Sequence, residues 1–165
     1  MFDKLQAQIL KQMQRNVFNA SPSRDDWSIS QEGVDGKLTL VSPSMAVVIP
    51  ERFFMLDKTK LPTSHIKLSS ITKDNSGYTE INVASVTLVQ IKKKRVPVCT
   101  MTDKDGTTVC HVYEDLLKLF NEFPEIEIKG KDAKSPVLVY CVGELLGLVM
   151  PMLRSDEGKC VNEDT

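Results

Sequence analysis

The stretch HVYEDLLKLFNEFPEIEIKGKDAKSPVLVYCVGELLGLVMPM, residues 111–152, holds the pattern on which the fold turns. Leu116, Leu119, Phe120 and Phe123 fall at i, i+3, i+4 and i+7, while Glu114, Asp115, Lys118 and Asn121 lie off that stripe. This spacing predicts an amphipathic helix over His111–Phe123, and Pro124 ends it. Next come Ile126–Lys129, which alternates, and the apolar runs Val137–Val142 and Leu146–Met152, all of strand length. The extended segment Thr107–His111 precedes the helix, so the order is β-α-β-β-β.

Working outward, the same order is expected over residues 45–91. Met45–Ile49 reads as a strand and Pro50–Leu61 as a second helix, with Phe53, Phe54 and Leu56 on it and Pro62 directly after. Strands at His65–Ile71, Tyr78–Val83 and Ser85–Ile91 come after it, and Val96–Thr102 adds one more. Trp27–Gln31 and Leu38–Val41 are strands upstream, and Asp35-Gly36, Ser76-Gly77 and Asp105-Gly106 stand where tight turns are needed. The chain therefore reads as a weak internal duplication, residues 45–91 matching 107–152. At the N-terminus Leu5, Ile9 and Met13 recur at four-residue spacing, with Phe2 and Leu10 beside them, which predicts an amphipathic helix over 3–15. The Ser/Pro/Asp-rich Asn19–Asp26 reads as a linker, and the helix as an appendage to the strand-rich domain downstream. The expected layout is a helix and linker over 1–30, one α+β domain over 31–153 and a polar tail over 154–165.

A chain of 165 residues with 41% hydrophobic and 26% charged residues is one ordinary globular domain by composition. A net charge of −1 excludes a binder that holds nucleic acid by bulk positive charge. No apolar run reaches the roughly 18–20 residues of a membrane helix, and the first ten residues carry no secretory pattern, so no membrane is expected and the cytoplasm is the expected compartment. Cys99, Cys110, Cys141 and Cys160 include no pair at ligand spacing, and only His65 and His111 could join them. Reduced thiols are expected, with no metal and no cofactor.

Three motifs allow a chemical and a structural reading. Asp103-x-Asp105-Gly106-Thr107 after an apolar strand matches the nucleophile motif of haloacid-dehalogenase-like phosphotransferases, in which one Asp attacks phosphorus and the other moves a proton. Such an enzyme also needs a later Lys, an acidic pair for Mg²⁺ and parallel βα units, and the same letters form a hairpin turn with Gly106 at positive φ. Lys92, Lys93, Lys94 and Arg95 are the one dense basic run, suited to phosphate contacts or to a solvated turn that protects a sheet edge. Lys129, Lys131 and Lys134 form a looser patch of the same kind. His111 and Cys110 are neighbours on a strand and point to opposite faces, so they form no catalytic pair.

Residues 111–152 resemble the last βαβββ unit of the bacterial DNA sliding clamp, the β subunit of the replicative polymerase. The resemblance rests on Tyr113 and Leu117 at the helix start, the strand Ile126–Lys129, Ser135-Pro136-Val137-Leu138, and Val149-Met150-Pro151-Met152. A clamp domain is itself two βαβββ units, with helices on one side of antiparallel sheets, so the resemblance implies a single DNA-clamp-like domain with an N-terminal helix added. It also implies that Leu148, Met150, Pro151 and Met152 wall a hydrophobic pocket for the short peptides of polymerases and repair factors, where the residue reading gives a buried strand and its exit turn. Leu153 stands where the family has a basic residue, with Arg154 one place later. Clamps surround DNA with six domains, so one domain would close a ring only as six copies, and the near-neutral charge argues against simple encirclement. The function implied is that of a non-enzymatic DNA replication or repair accessory protein acting through protein–protein contacts, its partners further copies of itself, another replication protein or DNA. The alternative is an interaction or assembly module with no DNA role, and the third reading is the Mg²⁺-dependent phosphotransferase.

Overall fold

Turn geometry sets where the strands stop. Val142 and Gly143 both have positive φ, 50° and 78°, and Cys141 faces Glu144 across them, the two-residue loop that matches the twist of a hairpin. Lys92, at φ 58°, closes a second two-residue loop in which Ile91 faces Lys94. The computed structural model describes residues 2–18, 27–30, 36–72 and 76–152, without the side chains of 14–18. Its elements are α1 (Asp3–Phe18), β1 (Ser28–Ser30), β2 (Lys37–Val41), β3 (Met45–Pro50), β4 (Thr63–Ser64), α2 (Leu68–Thr72), β5 (Thr79–Ile91), β6 (Lys94–Thr102), β7 (Thr108–Tyr113), α3 (Glu114–Lys118), β8 (Ile126–Gly130), β9 (Val137–Cys141) and β10 (Glu144–Val149).

The strands join in the order β4-β1-β2-β3-β10-β9-β8-β5-β6-β7, antiparallel except for the short β1–β4 pair. The protein is thus α+β, rich in strand and sparing in helix. A helix followed by a three-strand meander occurs twice, as α1-β1-β2-β3 and as α3-β8-β9-β10. The meanders meet at β3 and β10, where Val47 faces Gly147, so the order β1-β2-β3-β10-β9-β8 reads the same from either end.

α1 and the α3 segment lie on one face of this sheet. Leu5 and Ile9 of α1 are 1% and 0% exposed, in the same cluster as Leu116, Leu119, Phe120 and Phe123. Met45, Val47 and Ile49 of β3, and Val137 and Val139 of β9, form its floor. Phe2 meets Phe123 edge to face with ring centroids 5.1 Å apart, and Leu5 N–H donates to Glu122 Oε1 at 2.9 Å. Burying a Leu, Ile or Phe side chain is worth about 1.5–3 kcal/mol each. Phe2, Leu5 and Ile9 therefore bind α1 into the core, and the helix is not an appendage. Cys99, Met101, Cys110 and Val112 from β6 and β7 join the same cluster. The alternate residues of the meanders, Val41, Ala46, Val48, Leu138 and Leu148, form a second cluster with Leu68 of α2.

Several expected elements take another form. Pro50–Leu61 is not a helix but two single 3-10 turns, Glu51–Phe53 and Lys58–Lys60. The reason is Gln6, 2% exposed, whose Nε2 donates to Phe53 O at 2.7 Å and whose Oε1 accepts from Met55 N–H at 2.6 Å. Those are groups that helical bonds would otherwise occupy. His65–Ile71 is not a strand: β4 ends at Ser64 and α2 begins at Leu68. Its letters alternate well enough for a strand, yet Leu68 and Ile71 also sit three apart on one helical face. The helix expected over His111–Phe123 is shorter, five residues of α3 followed by turns whose bonds run from Phe120 N–H to Leu117 O and from Asn121 N–H to Lys118 O. Tyr78–Val83 and Ser85–Ile91 are one strand, β5, with a register shift between Val83 and Ser85. The duplication consequently pairs the chain's first 50 residues, not residues 45–91, with its last unit. The linker Asn19–Asp26, Asp35, Cys160 and the tail 154–165 lie outside the described residues.

Candidate functional site

On the face of the sheet away from α1 and α3, the meanders leave a hollow beside their junction. The turn Ser42-Pro43-Ser44 connects β2 to β3, held by Ser42 N–H to Met45 O at 2.8 Å and Met45 N–H to Ser42 Oγ at 3.2 Å. The chain leaving β10 crosses this turn and is pinned there, Met150 N–H donating to Ser44 O at 2.8 Å. Leu148 and Met150, two positions apart in extended chain, point to the same side. With Val41, Pro43 and Ala46, and with Ile66, Leu68 and Ile71 across from them, they line an apolar cavity of about 120 Å³. Ile66 is 48% exposed and Ile71 37%, so one wall stands open to solvent.

Size and lining decide what the cavity suits. Small-molecule sites usually run to about 300–1,000 Å³. This one is nearer the roughly 150 Å³ apolar cavity that takes a single benzene-sized group. It fits one apolar side chain of a peptide, and the thioether of Met150 gives its wall adaptability. Ser42 supplies the polar lining, and its hydroxyl already lies 3.3 Å from Met45 O.

The four residues expected to form a pocket therefore divide. Leu148 and Met150 line the cavity; Pro151 and Met152, both buried, do not. Met152 N–H donates to His111 O at 2.8 Å on the outer edge of β7, and its side chain packs with Val89 and Val98 on β5 and β6. Met152 thus tethers the segment that follows β10 across the β5–β7 sheet. The wall from Ile66, Leu68 and Ile71 could not be read in advance, because the segment carrying it has the alternation of a strand.

Lys92, Lys93, Lys94 and Arg95 stand exposed at the tip of the β5–β6 hairpin and make no ion pair with a described residue. Of the looser patch, Lys129 Nζ lies 5.1 Å from the Tyr140 ring centroid and 3.9 Å from Glu127 Oε1. Asp103 belongs to a turn: its Oδ1 accepts from Asp105 N–H at 2.9 Å and Thr107 N–H at 3.0 Å, with Gly106 at φ 81°. The strands it joins are antiparallel, whereas a dehalogenase-like site stands on parallel βα units. An open polar cleft of about 440 Å³ lies beside this turn, lined by Thr79, Glu80, Asn82, Asp103, Lys104 and Asp105. Thr100 Oγ1 lies 3.3 Å from His111 Nδ1, while burial pushes the neighbouring Cys110 thiol up to about 11, far from a reactive thiolate. Among the described residues no three of His, Cys, Asp and Glu gather as metal ligands, and no helix is long and apolar enough to cross a membrane. In comparisons with known proteins, no family model matches the chain, and no curated protein or solved structure matches it.

Proposed function

We propose that this chain is a non-enzymatic, clamp-like accessory protein of cytoplasmic DNA replication or repair that works by receiving a partner's peptide in the cavity beside Leu148 and Met150. The observation that carries this reading is the cavity itself, an apolar hollow for one side chain, built where the clamp resemblance of the C-terminal strand implies peptide capture. The twofold helix–meander repeat supports it, since a clamp domain is also built from two like units. Further copies of the chain or another replication protein are the partners. Oligomers around DNA would use Lys92 to Arg95 as phosphate contacts, but the net charge is −1. That charge favours the second reading, a peptide-binding assembly module with no DNA role.

Fluorescence anisotropy with a labelled clamp-binding peptide tests the proposal. The expected result is saturable binding, weakened about tenfold by Met150→Ala through loss of one apolar contact surface. Met152→Ala, placed outside the cavity, affects binding less than Met150→Ala does. Absence of binding overturns the clamp-like reading, and binding of unrelated apolar peptides with equal strength favours the assembly module.

A further inference from the structure

The two walls of the cavity are built differently. Leu148 belongs to β10 and Ala46 to β3, paired strands in the middle of the sheet, and Met150 N–H is bonded to Ser44 O. The facing wall, residues 65–72, leaves the two-residue edge strand β4 and carries the five-residue α2. Of residues 65–72, Leu68 alone is buried. Ile66 and Ile71 line the cavity yet remain 48% and 37% exposed. A segment with so few buried apolar contacts shifts at little cost.

Two hydroxyls beneath this wall give its movement a direction. Ser30 Oγ, on β1, donates to Ile66 O at 2.7 Å. Ser28 faces Val41 and Ile29 faces Leu40, so the same antiparallel register sets Ser30 opposite Thr39 of β2. Opposite residues share a face of the sheet. Here it is the face on which Val41 and Val48 pack with Leu68. Thr39 is 1% exposed and its Oγ1 has no partner. The strands run β4-β1-β2-β3-β10, so Thr39 stands one strand spacing, about 4.8 Å, nearer to Leu148 than Ser30 does. A carbonyl oxygen carries two lone pairs. A shift of part of that spacing therefore lets Ile66 O accept from Thr39 as well as from Ser30, while Ile66 and Ile71 move in over the cavity.

We propose that residues 65–72 are a strap that closes over the side chain held in the cavity, and that the Thr39 hydroxyl, unpaired in the open form, bonds to Ile66 O in the closed one. An empty cavity leaves Ile66 and Ile71 wet and favours the open form. An occupant favours the closed form by the apolar surface it buries with them. The strap thereby holds the occupant and sets its release, a role that rests on the reading of the cavity as a peptide site.

Hydrogen–deuterium exchange of the full chain, read by mass spectrometry over residues 65–72, tests the strap in two arms. In one the occupant is the clamp-binding peptide. In the other it is a benzyl group, attached through a mixed disulfide by treating Pro43→Cys, on the exposed rim of the cavity, with benzyl methanethiosulfonate. That chain also carries Cys141→Ser and Cys160→Ser, and Cys99 and Cys110 are buried out of reach. Exchange over 65–72 is expected to slow about tenfold in either arm. Thr39→Val leaves the cavity lining as it is and removes the closing bond, so it should cut the slowing to about threefold or less. Unchanged exchange in the benzyl arm, or full slowing in Thr39→Val, overturns the proposal. Slowing by the benzyl group in a chain that binds no peptide sinks the peptide reading and leaves the strap standing. Peptide binding with no slowing at 65–72 does the reverse.

Discussion

Gln6 shows how one buried polar side chain decides the shape of a distant segment. Its amide touches Phe53 O and Met55 N–H, 47 and 49 residues away, and also Phe2 O at 3.2 Å. Gln6→Leu keeps the volume but strands a carbonyl and an amide in a place with little water, so a loss of about 2–3 kcal/mol is expected by chemical denaturation. Thr39 is the opposite case: 1% exposed on β2, its Oγ1 has no hydrogen-bond partner. Thr39→Val removes an unsatisfied hydroxyl and is expected to raise stability by about 1 kcal/mol. Cys110 gives a pH dependence whose sign comes from its surroundings. Burial first, and the nearby Asp132 charge second, raise the thiol from 9.0 to about 11. The folded chain keeps this proton where the unfolded chain loses it, so the contribution is whole below pH 9 and declines as pH rises from 9 to 11. Cys110→Ala should flatten the fall of stability over that range relative to wild type, whatever constant amount its small cavity costs.

At the scale of elements, the junction of the meanders depends on Gly147. It lies at a bulge between β9 and β10, where the register shifts between Leu145 and Gly147. A Cβ there would collide with Ala46 O of β3 and come within 3.1 Å of Phe120 Cζ. Gly147→Ala therefore forces β10 away from β3 or Phe120 out of its place, and an overpacking cost of about 1–3 kcal/mol is expected by thermal unfolding. Because Leu148 comes directly after it, the same change should weaken peptide capture at the cavity. The strands around this junction are legible in the sequence, since Val137–Val142 and Leu146–Met152 are apolar runs on either side of a glycine turn, and period and turn residues are local. No local signal excludes a helix at Pro50–Leu61, because the groups that hold that segment in another form belong to Gln6, far upstream. The cavity is half legible for a similar reason. Leu148 and Met150 lie in a motif, but Ile66, Leu68 and Ile71 reach them only through tertiary packing, and their spacing suits a strand and a helix alike. For α1 the amphipathic stripe is plain, while nothing local says that its apolar face closes over the main core.

The described residues share one principal core, which governs how they unfold. The main cluster takes residues from α1, β3, β6, β7, the α3 segment and β9, so no part of the sheet keeps its apolar face when another part leaves. Trp27, the only tryptophan, is 4% exposed, and its Nε1 donates to Gln12 Oε1 of α1 at 2.7 Å. Its fluorescence therefore reports the contact of α1 with the start of β1, whereas far-ultraviolet circular dichroism reports the strands as a whole. A helix that merely leaned on the domain would leave first and shift the tryptophan signal before the dichroism. With Phe2, Leu5 and Ile9 buried and Leu5 N–H bound to Glu122, the helix and sheet share their stabilisation. Urea titration should thus give one transition, with midpoints that coincide between the two probes, as two-state unfolding of a single unit requires. Glu122→Ala removes the carboxylate that caps α1 and is expected to move both midpoints together, by about 1 kcal/mol. A tryptophan midpoint that falls alone in this variant would show α1 to be a separate folding unit, and the helix–meander repeat would then lose its first helix as an integral part.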